Sequence, residues 1–217
     1  HHEQGPGQNE IDFRYSDALT AADNAVTFRT VVKTIAAGNG LCADFSPKPL
    51  PDQPGSGFHI NMSVKGPGEN RMHHMMGGIL RHVSDMTRFL NPSPQSYSRL
   101  GVCKAPKYIS WSNNNRSMLI RIPAAAGEYR RVELRSPDCT ANPYLAFALL
   151  IWAGLDGIQN EIDLPEKANV NLYTAEPRDI GDMETLPLSL GAAIKRAEES
   201  EFIRAHLPES LIACYKN

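Results

Sequence analysis

The feature that most constrains the fold of this chain is an apolar run, residues 144–155, which follows directly on Asn142 and Pro143. Asn is a favoured N-cap residue and Pro a favoured first helical residue, so the pair predicts a helix that starts at Pro143. Twelve residues are too few to cross a bilayer. We therefore expect a helix of a globular domain and no membrane span.

Hydrophobic periodicity predicts three further helices and six short strands. The helices are expected at residues 16–38, 70–90 and 186–207, and the methionines of the second recur at helical spacing, which is typical of core packing. Helices and strands alternate along the chain, but too few βαβ units are evident for a doubly wound sheet, so the predicted class is α+β. The strands are expected at 9–15, from 41 into a Pro/Gly loop, and at 58–64, 107–112, 117–123 and 129–137.

Composition excludes several classes of function. At 217 residues, with 41% hydrophobic and 21% charged residues, the chain is long enough for one domain with a substantial core. A formal net charge of −2 argues against nucleic-acid binding. Cys42, Cys103, Cys139 and Cys214 form no CxxC pair, which favours a reducing, cytoplasmic compartment.

Arginines recur on the predicted strands. Arg131, Glu133 and Arg135 share one strand face at a period of two, which indicates either a solvated, salt-bridged surface or a binding site. Arg99, Arg116 and Arg121 lie in neighbouring segments with little lysine among them. The arginine fork suits bidentate recognition of carboxylate or phosphate.

Acidic residues supply the counterpart. Glu3 and Glu10 flank a Gly-Pro-Gly turn that could bring both carboxylates to one point, and His59 lies on the polar side of its strand. Together with Glu133, this set suits Mg²⁺ or Mn²⁺ better than Zn²⁺. A divalent metal beside arginines is the apparatus of phosphoryl transfer from a nucleotide. The two leading histidines resemble a tag remnant, but the segment that follows favours native residues.

Six co-linear segments carry a resemblance to a known family: HHEQGPGQNEIDFRY, GSGFHINMS, NPSPQSYSRL, APKYISWSNNNRSMLIRIP, RRVELRSPDCTANPYLAFALLIWAGLDGIQN and NLY. In this order they resemble the catalytic domain of the bacterial type I glutamine synthetases, over nearly all of residues 1–217. The resemblance implies a curved antiparallel sheet with helices packed on it, the glutamine synthetase/guanido kinase-like fold. It also implies ATP-dependent ligation of glutamate and ammonia through a γ-glutamyl phosphate, with two divalent metals.

The resemblance also assigns roles to individual residues. It implies that metal binds to Glu3, Glu10, His59 and Glu133, and that glutamate binds at Gly55, Arg99 and Arg135. Nucleotide and phosphate contacts are expected at Tyr15, Asn61, Met62, Ser63, Arg116, Arg121 and Arg131, and Arg116 is expected to stabilise the transferring phosphoryl group.

The chain departs from the family pattern in its flap. Lys104 stands where the family has a glutamate that helps bind and deprotonate ammonium, and a cation there repels ammonium. Pro54 replaces the Asn that usually precedes the GSG motif. These changes keep open a ligase that acts on an organic amine. A non-catalytic family member is a further alternative, which retention of all four metal residues disfavours.

The resemblance further implies that residues 1–217 are the carboxy-terminal portion of the catalytic domain. The family's amino-terminal domain and its earlier metal-binding strand do not occur in this sequence, so we expect the fragment alone to be largely inactive. The parent is expected to be a homo-dodecamer acting on small molecules. Tyr173 occupies a position that some members adenylylate, although an exposed loop tyrosine is the simpler interpretation.

Overall fold

The computed structural model describes residues 2–66, 70–125 and 127–216, so His1 lies outside the described residues. Its class is α+β, as predicted. A four-stranded sheet lies against a group of helices, with a 3₁₀ turn at Gly127–Tyr129. The helices are α1 Ala18–Gly38, α2 Arg71–Leu90, α3 Pro94–Arg99, α4 Pro143–Gln159, α5 Pro177–Ile180, α6 Leu190–Glu199, α7 Glu201–His206 and α8 Glu209–Cys214. The strands are β1 Ile60–Met62, β2 Trp111–Asn113, β3 Ile120–Ile122 and β4 Val132–Leu134.

The sheet has the strand order β1-β4-β3-β2. Strand β4 is antiparallel to both β1 and β3, as predicted, but β2 and β3 are parallel, so the sheet is mixed. Asn114, directly after β2, adopts the left-handed conformation with φ 59° and turns the chain back. The strands are only three residues long, so a short loop suffices to bring β3 alongside β2 in the same direction.

Alternation along the strands separates a core face from a polar face. Ile60, Ile120 and Leu134 lie side by side by register and join the core with α2 and α4. The predicted methionine stripe of α2 is confirmed, since its apolar side chains are buried in the same core. The polar face carries the residues of the next section.

Helices α2 and α4 touch through their backbones. A Cβ placed on Gly78 would overlap the carbonyl oxygen of Ala153, and one on Gly157 would overlap that of His74. Only glycine allows this approach. The Asn142 side chain accepts hydrogen bonds from the Tyr144 and Leu145 amides, so the predicted cap of α4 is confirmed. None of the described helices combines the length and apolarity that a membrane span requires.

Three predicted elements differ in the structure. Residues 9–15 and the stretch from residue 41 form no strand: Asn9 makes only an isolated bridge with His2, and Ile11 and Leu41 are exposed. The predicted 186–207 helix breaks at Ser200. The Ser200 hydroxyl accepts from the Ile203 amide as the cap of α7 and donates to Asp85 Oδ2 at 2.7 Å.

Candidate active site

The polar face of the sheet presents a row of functional groups. By register, Asn61 of β1, Glu133 of β4 and Arg121 of β3 lie side by side. Glu133 is 6% exposed and Arg135 is 3% exposed. Glu133 and Arg135 are therefore buried and ion-paired, so the alternative of a solvated surface is wrong for these two residues, whereas Arg131 is half-buried.

Two arginines hold the Glu133 carboxylate. Arg135 Nη1 donates to Oε2 at 3.0 Å, and Arg121 Nη2 donates to Oε1 at 3.2 Å. Arg121 Nε also lies 2.7 Å from Oε2, as a charge contact without hydrogen-bond alignment. Burial alone would raise the pKa of Glu133, but the charges of Arg135 and Arg121 and the hydrogen bond from Arg135 keep the pKa below its usual value. Glu133 is therefore an ionised carboxylate at neutral pH.

His59 lies beside this carboxylate, with Nδ1 3.6 Å from Glu133 Oε1. Removal of water around the ring and the charge of Arg135 lower the pKa of His59, although about a third of the side chain remains exposed. The imidazole is therefore neutral at pH 7. A neutral imidazole next to an ionised carboxylate is a donor pair that a divalent cation accepts.

The Gly-Pro-Gly segment folds as the sequence predicts. Gln8 closes the turn, because its amide donates to the Gly5 carbonyl at 3.0 Å and its side-chain oxygen accepts from the Gly5 amide at 3.0 Å. Gln8 also accepts from the Glu3 amide and donates through Nε2 to the Gly55 carbonyl at 3.1 Å. The turn is thus tied to the GSG segment, and Glu3 and Glu10 meet.

Glu3 and Glu10 share a hydrogen bond between their carboxyl groups. This bond, partial burial and the charge of Glu3 raise the pKa of Glu10 to about 7. The same bond, together with the charges of Lys104 and Arg116, lowers the pKa of Glu3. Two carboxyl groups that share one proton fit a divalent cation, which would replace that proton.

The two acidic pairs influence each other, since the charge of Glu133 contributes to the raised pKa of Glu10. Among residues 2–66, 70–125 and 127–216, no group of three or more His, Cys, Asp and Glu side chains is arranged to hold a metal. The predicted metal residues thus come together as two pairs, Glu3 with Glu10 and His59 with Glu133.

Arg99 lies beneath the GSG turn. It is 3% exposed, and its guanidinium donates to the carbonyl oxygens of Ser136 at 2.7 Å and Arg135 at 3.3 Å. A Cβ on Gly57 would lie 2.7 Å from Arg99 Nη2, so a larger residue there would displace this guanidinium. Arg99 was predicted to contact substrate, but here it supports the backbone on which Arg135 and Gly55 lie.

Some of the predicted nucleotide residues lie on the polar face of the sheet, and others lie on its core face or in the exposed segment after Glu10. Arg131 Nε donates to Asn61 Oδ1 at 3.1 Å, and Ser63 is exposed on the same face. Met62 alternates to the opposite face of β1, where its half-buried side chain packs against the core. Tyr15 is 77% exposed, in the extended segment after Glu10.

Sequence reasoning missed a buried polar group behind the site. Asn91, at the end of α2, donates to the Ser136 carbonyl at 2.9 Å and to Asp138 Oδ2 at 3.0 Å. Both Asn91 and Asp138 are fully buried. Asn91 is polar and belongs to no hydrophobic repeat of a helix or strand. The one signal in the sequence is its position directly after the predicted end of the 70–90 helix, where a helix-capping residue is expected. Tyr173, taken as an exposed loop residue, is half-buried, and its hydroxyl donates to the Arg116 carbonyl at 2.7 Å.

Comparison with known proteins gives a consistent result. The family described as "Glutamine synthetase, catalytic domain" matches residues 1–217. The glutamine synthetase of Methanosarcina mazei is 45% identical over 99% of this chain and 52% of its own length, and that of Pyrococcus furiosus is 44% identical over 100% and 52%. A solved structure described as a GmaS/ADP complex superposes with a TM-score of 0.83 at 33% identity, over 94% of this chain and 50% of that one. The chain spans about half the length of the curated relatives it matches.

Proposed function

Because the chain belongs to the glutamine synthetase catalytic-domain family, we propose that the whole protein ligates L-glutamate and ammonia to L-glutamine, with ATP, through a γ-glutamyl phosphate. The observation that carries the proposal is the Glu133 carboxylate, buried between Arg121 and Arg135 and beside a neutral His59. Burying such a charged cluster is costly even when it is paired, and clusters of this kind recur at binding and catalytic sites.

We assign two Mg²⁺ or Mn²⁺ ions to the acidic pairs, one to Glu3 with Glu10 and one to His59 with Glu133. Bound there, such ions would supply positive charge that offsets the negative charge of the transferred phosphoryl group. Arg116 is exposed and close enough to Glu3 to lower its pKa, so its guanidinium can reach a phosphoryl group held at that pair. Its role is to stabilise the negative charge that develops during transfer.

The remaining residues bind and orient the substrates. We assign the nucleotide to the surface at Arg131, Asn61 and Ser63, with Arg121 beside it, and the ADP of the GmaS complex supports a nucleotide on this fold. Glutamate is assigned to Arg135 and Gly55. Arg99 is assigned no direct contact with glutamate. It donates a hydrogen bond to the carbonyl oxygen of Arg135 and so positions that residue.

We also propose a homo-oligomer, with the family's dodecamer as the expected form, in the cytoplasm. Several large apolar side chains are exposed. Leu19 and Ile35 of α1, for example, are 66% and 60% exposed, which suits burial against other subunits. Cys42, Cys103, Cys139 and Cys214 are all free, which suits a reducing compartment.

The test is to trap γ-glutamyl phosphate on the whole protein while a panel of amines is offered as second substrate. We expect ADP release that depends on glutamate, and turnover that is fastest with ammonia. Glutamate-independent ADP release, or no trapped intermediate with any amine, would refute the ligase.

Lys104 favours a second candidate, a γ-glutamyl ligase for an organic amine. Its charge acts on the Glu3 carboxylate, and its carbonyl accepts from Arg135 Nη2 at 3.4 Å, so the flap segment lies at the site. A cation there disfavours ammonium. Lys104→Glu is expected to lower the KM for ammonium several-fold and leave the KM for ATP unchanged. An unaltered ammonium KM would remove the reason for this candidate.

A further inference from the structure

The loop that carries Arg116 has an internal structure of its own. It begins with Asn114 in the left-handed conformation, and the Asn115 side-chain oxygen accepts from both the amide and the hydroxyl of Ser117, at 3.0 and 2.8 Å. These bonds shape the loop, but they are all local. They do not fix where the loop lies relative to the sheet.

A second segment, residues 170–173, fixes that position. Asn115 Nδ2 donates to the Val170 carbonyl at 2.9 Å, and the Leu172 amide donates to Ser117 Oγ at 3.0 Å. The Tyr173 hydroxyl donates to the carbonyl of Arg116 itself at 2.7 Å. Three hydrogen bonds therefore join residues 170–173 to three successive residues of the loop.

Tyr173 is itself held in place from behind. Its amide donates to the Asn171 side-chain oxygen at 3.1 Å, and Leu172 beside it is buried. Burial raises the pKa of Tyr173 and outweighs the opposing charge and hydrogen bond of Arg135, so the hydroxyl stays protonated at neutral pH and can donate. The Tyr173 hydroxyl thus donates to the backbone of Arg116, and the charge of Arg135 acts on it.

We propose that Tyr173 is a positioning residue: its hydroxyl fixes the Arg116 loop against the Arg135 side of the site. The inference rests on the proposed ligase function, because it assigns Arg116 to the transferring phosphoryl group and Arg135 to glutamate. Arg116 is exposed, and of the three hydrogen bonds only the one from Tyr173 is made to the backbone of Arg116 itself, so its loss loosens Arg116 although the bonds to Asn115 and Ser117 remain. A misplaced guanidinium stabilises the transferred phosphoryl group poorly.

The first measurement does not depend on turnover. Hydrogen exchange of the amides of residues 114–118 is compared between the wild-type chain and Tyr173→Phe, which removes only the hydroxyl. We expect exchange about three- to ten-fold faster in this loop, as for the loss of one hydrogen bond, and unchanged exchange in α2. Tyr97→Phe is the matched control, because the buried Tyr97 hydroxyl has no hydrogen-bond partner. Unchanged exchange at 114–118 in Tyr173→Phe would overturn the inference.

The second measurement uses the whole protein. Tyr173→Phe is expected to lower kcat about three- to ten-fold with the KM for glutamate within about two-fold of wild type, as for one lost neutral hydrogen bond. In an Arg116→Ala background the same substitution is expected to add almost nothing, since the two residues act through one contact. A full additional loss in that background, or a change confined to the glutamate KM, would refute positioning through Arg116. Failure of wild type to ligate any amine counts against the proposed function instead, and the exchange result still decides the inference.

Discussion

The two acidic pairs of this site differ in how their charge is balanced. Glu133 is buried, ionised and neutralised by Arg121 and Arg135 of its own chain. Glu3 and Glu10 are half-buried and neutralise each other by sharing a proton, since the pKa of Glu10 is about 7. The charge of Glu133 in the first pair is therefore already balanced within the chain. The second pair can exchange its shared proton for a bound cation. The Glu3–Glu10 pair is therefore the part of the site whose protonation is expected to change when a metal ion binds.

The largest expected effect comes from substitution of the neutralised carboxylate. Glu133→Ala leaves two guanidinium groups without their counter-charge, one of them on the buried Arg135, and should lower the free energy of unfolding by about 3 kcal/mol. In a domain of this size that corresponds to about 6–12 °C in Tm. Glu10→Ala, the matched variant in the other pair, is expected to change stability by less than about 0.5 kcal/mol. Equal Tm losses in the two variants would contradict the distinction.

A smaller effect is expected in metal binding. The chain should bind Mn²⁺ weakly, because each pair offers only two protein donors, and Glu3→Gln should weaken that binding by about ten-fold or more. Free Mn²⁺ measured by electron paramagnetic resonance during titration gives both values. Tight binding of two ions by this chain would show that two donors at each pair are enough.

The smallest effect is a pH dependence of stability. The pKa of Glu10 is raised in the folded state, so its contribution is fully present below about pH 4.5 and is lost as pH rises through about 7. In metal-free buffer the Tm of wild type should fall about 1–2 °C more than that of Glu10→Gln between pH 5 and 8, a modest shift because solvent screens this half-exposed pair. Parallel pH profiles for the two proteins would show that Glu3 and Glu10 do not interact.

Sequence reasoning was most successful where a local pattern decides the structure. The cap at Asn142, the methionine stripe of α2 and the turn that unites Glu3 and Glu10 were all predictable, because each depends on neighbours in sequence. The extended segments at 9–15 and from 41 have strand-like patterns but form no strand, because strand formation requires a pairing partner that a local pattern cannot supply.

The site shows the same limit. Residue types and order identified the charged residues, but not that Glu133 would be buried between two arginines or that Arg99 would support backbone carbonyls. Nor did they reveal that Tyr173 reaches the Arg116 carbonyl across a sequence separation of 57 residues. These contacts depend on tertiary packing, on which hydrophobic periodicity carries no information.

The glycine contact between α2 and α4 has a consequence for how this domain can diverge. Because Gly78 and Gly157 bring two backbones together, direct backbone contact sets the spacing of α2 and α4 at these positions. Loops such as those of Lys104 and Arg116 can therefore exchange residues without altering the support beneath the strands of the candidate site, and under the proposed function the amine accepted would change with them. Substrate preference and architecture can evolve separately in such a domain.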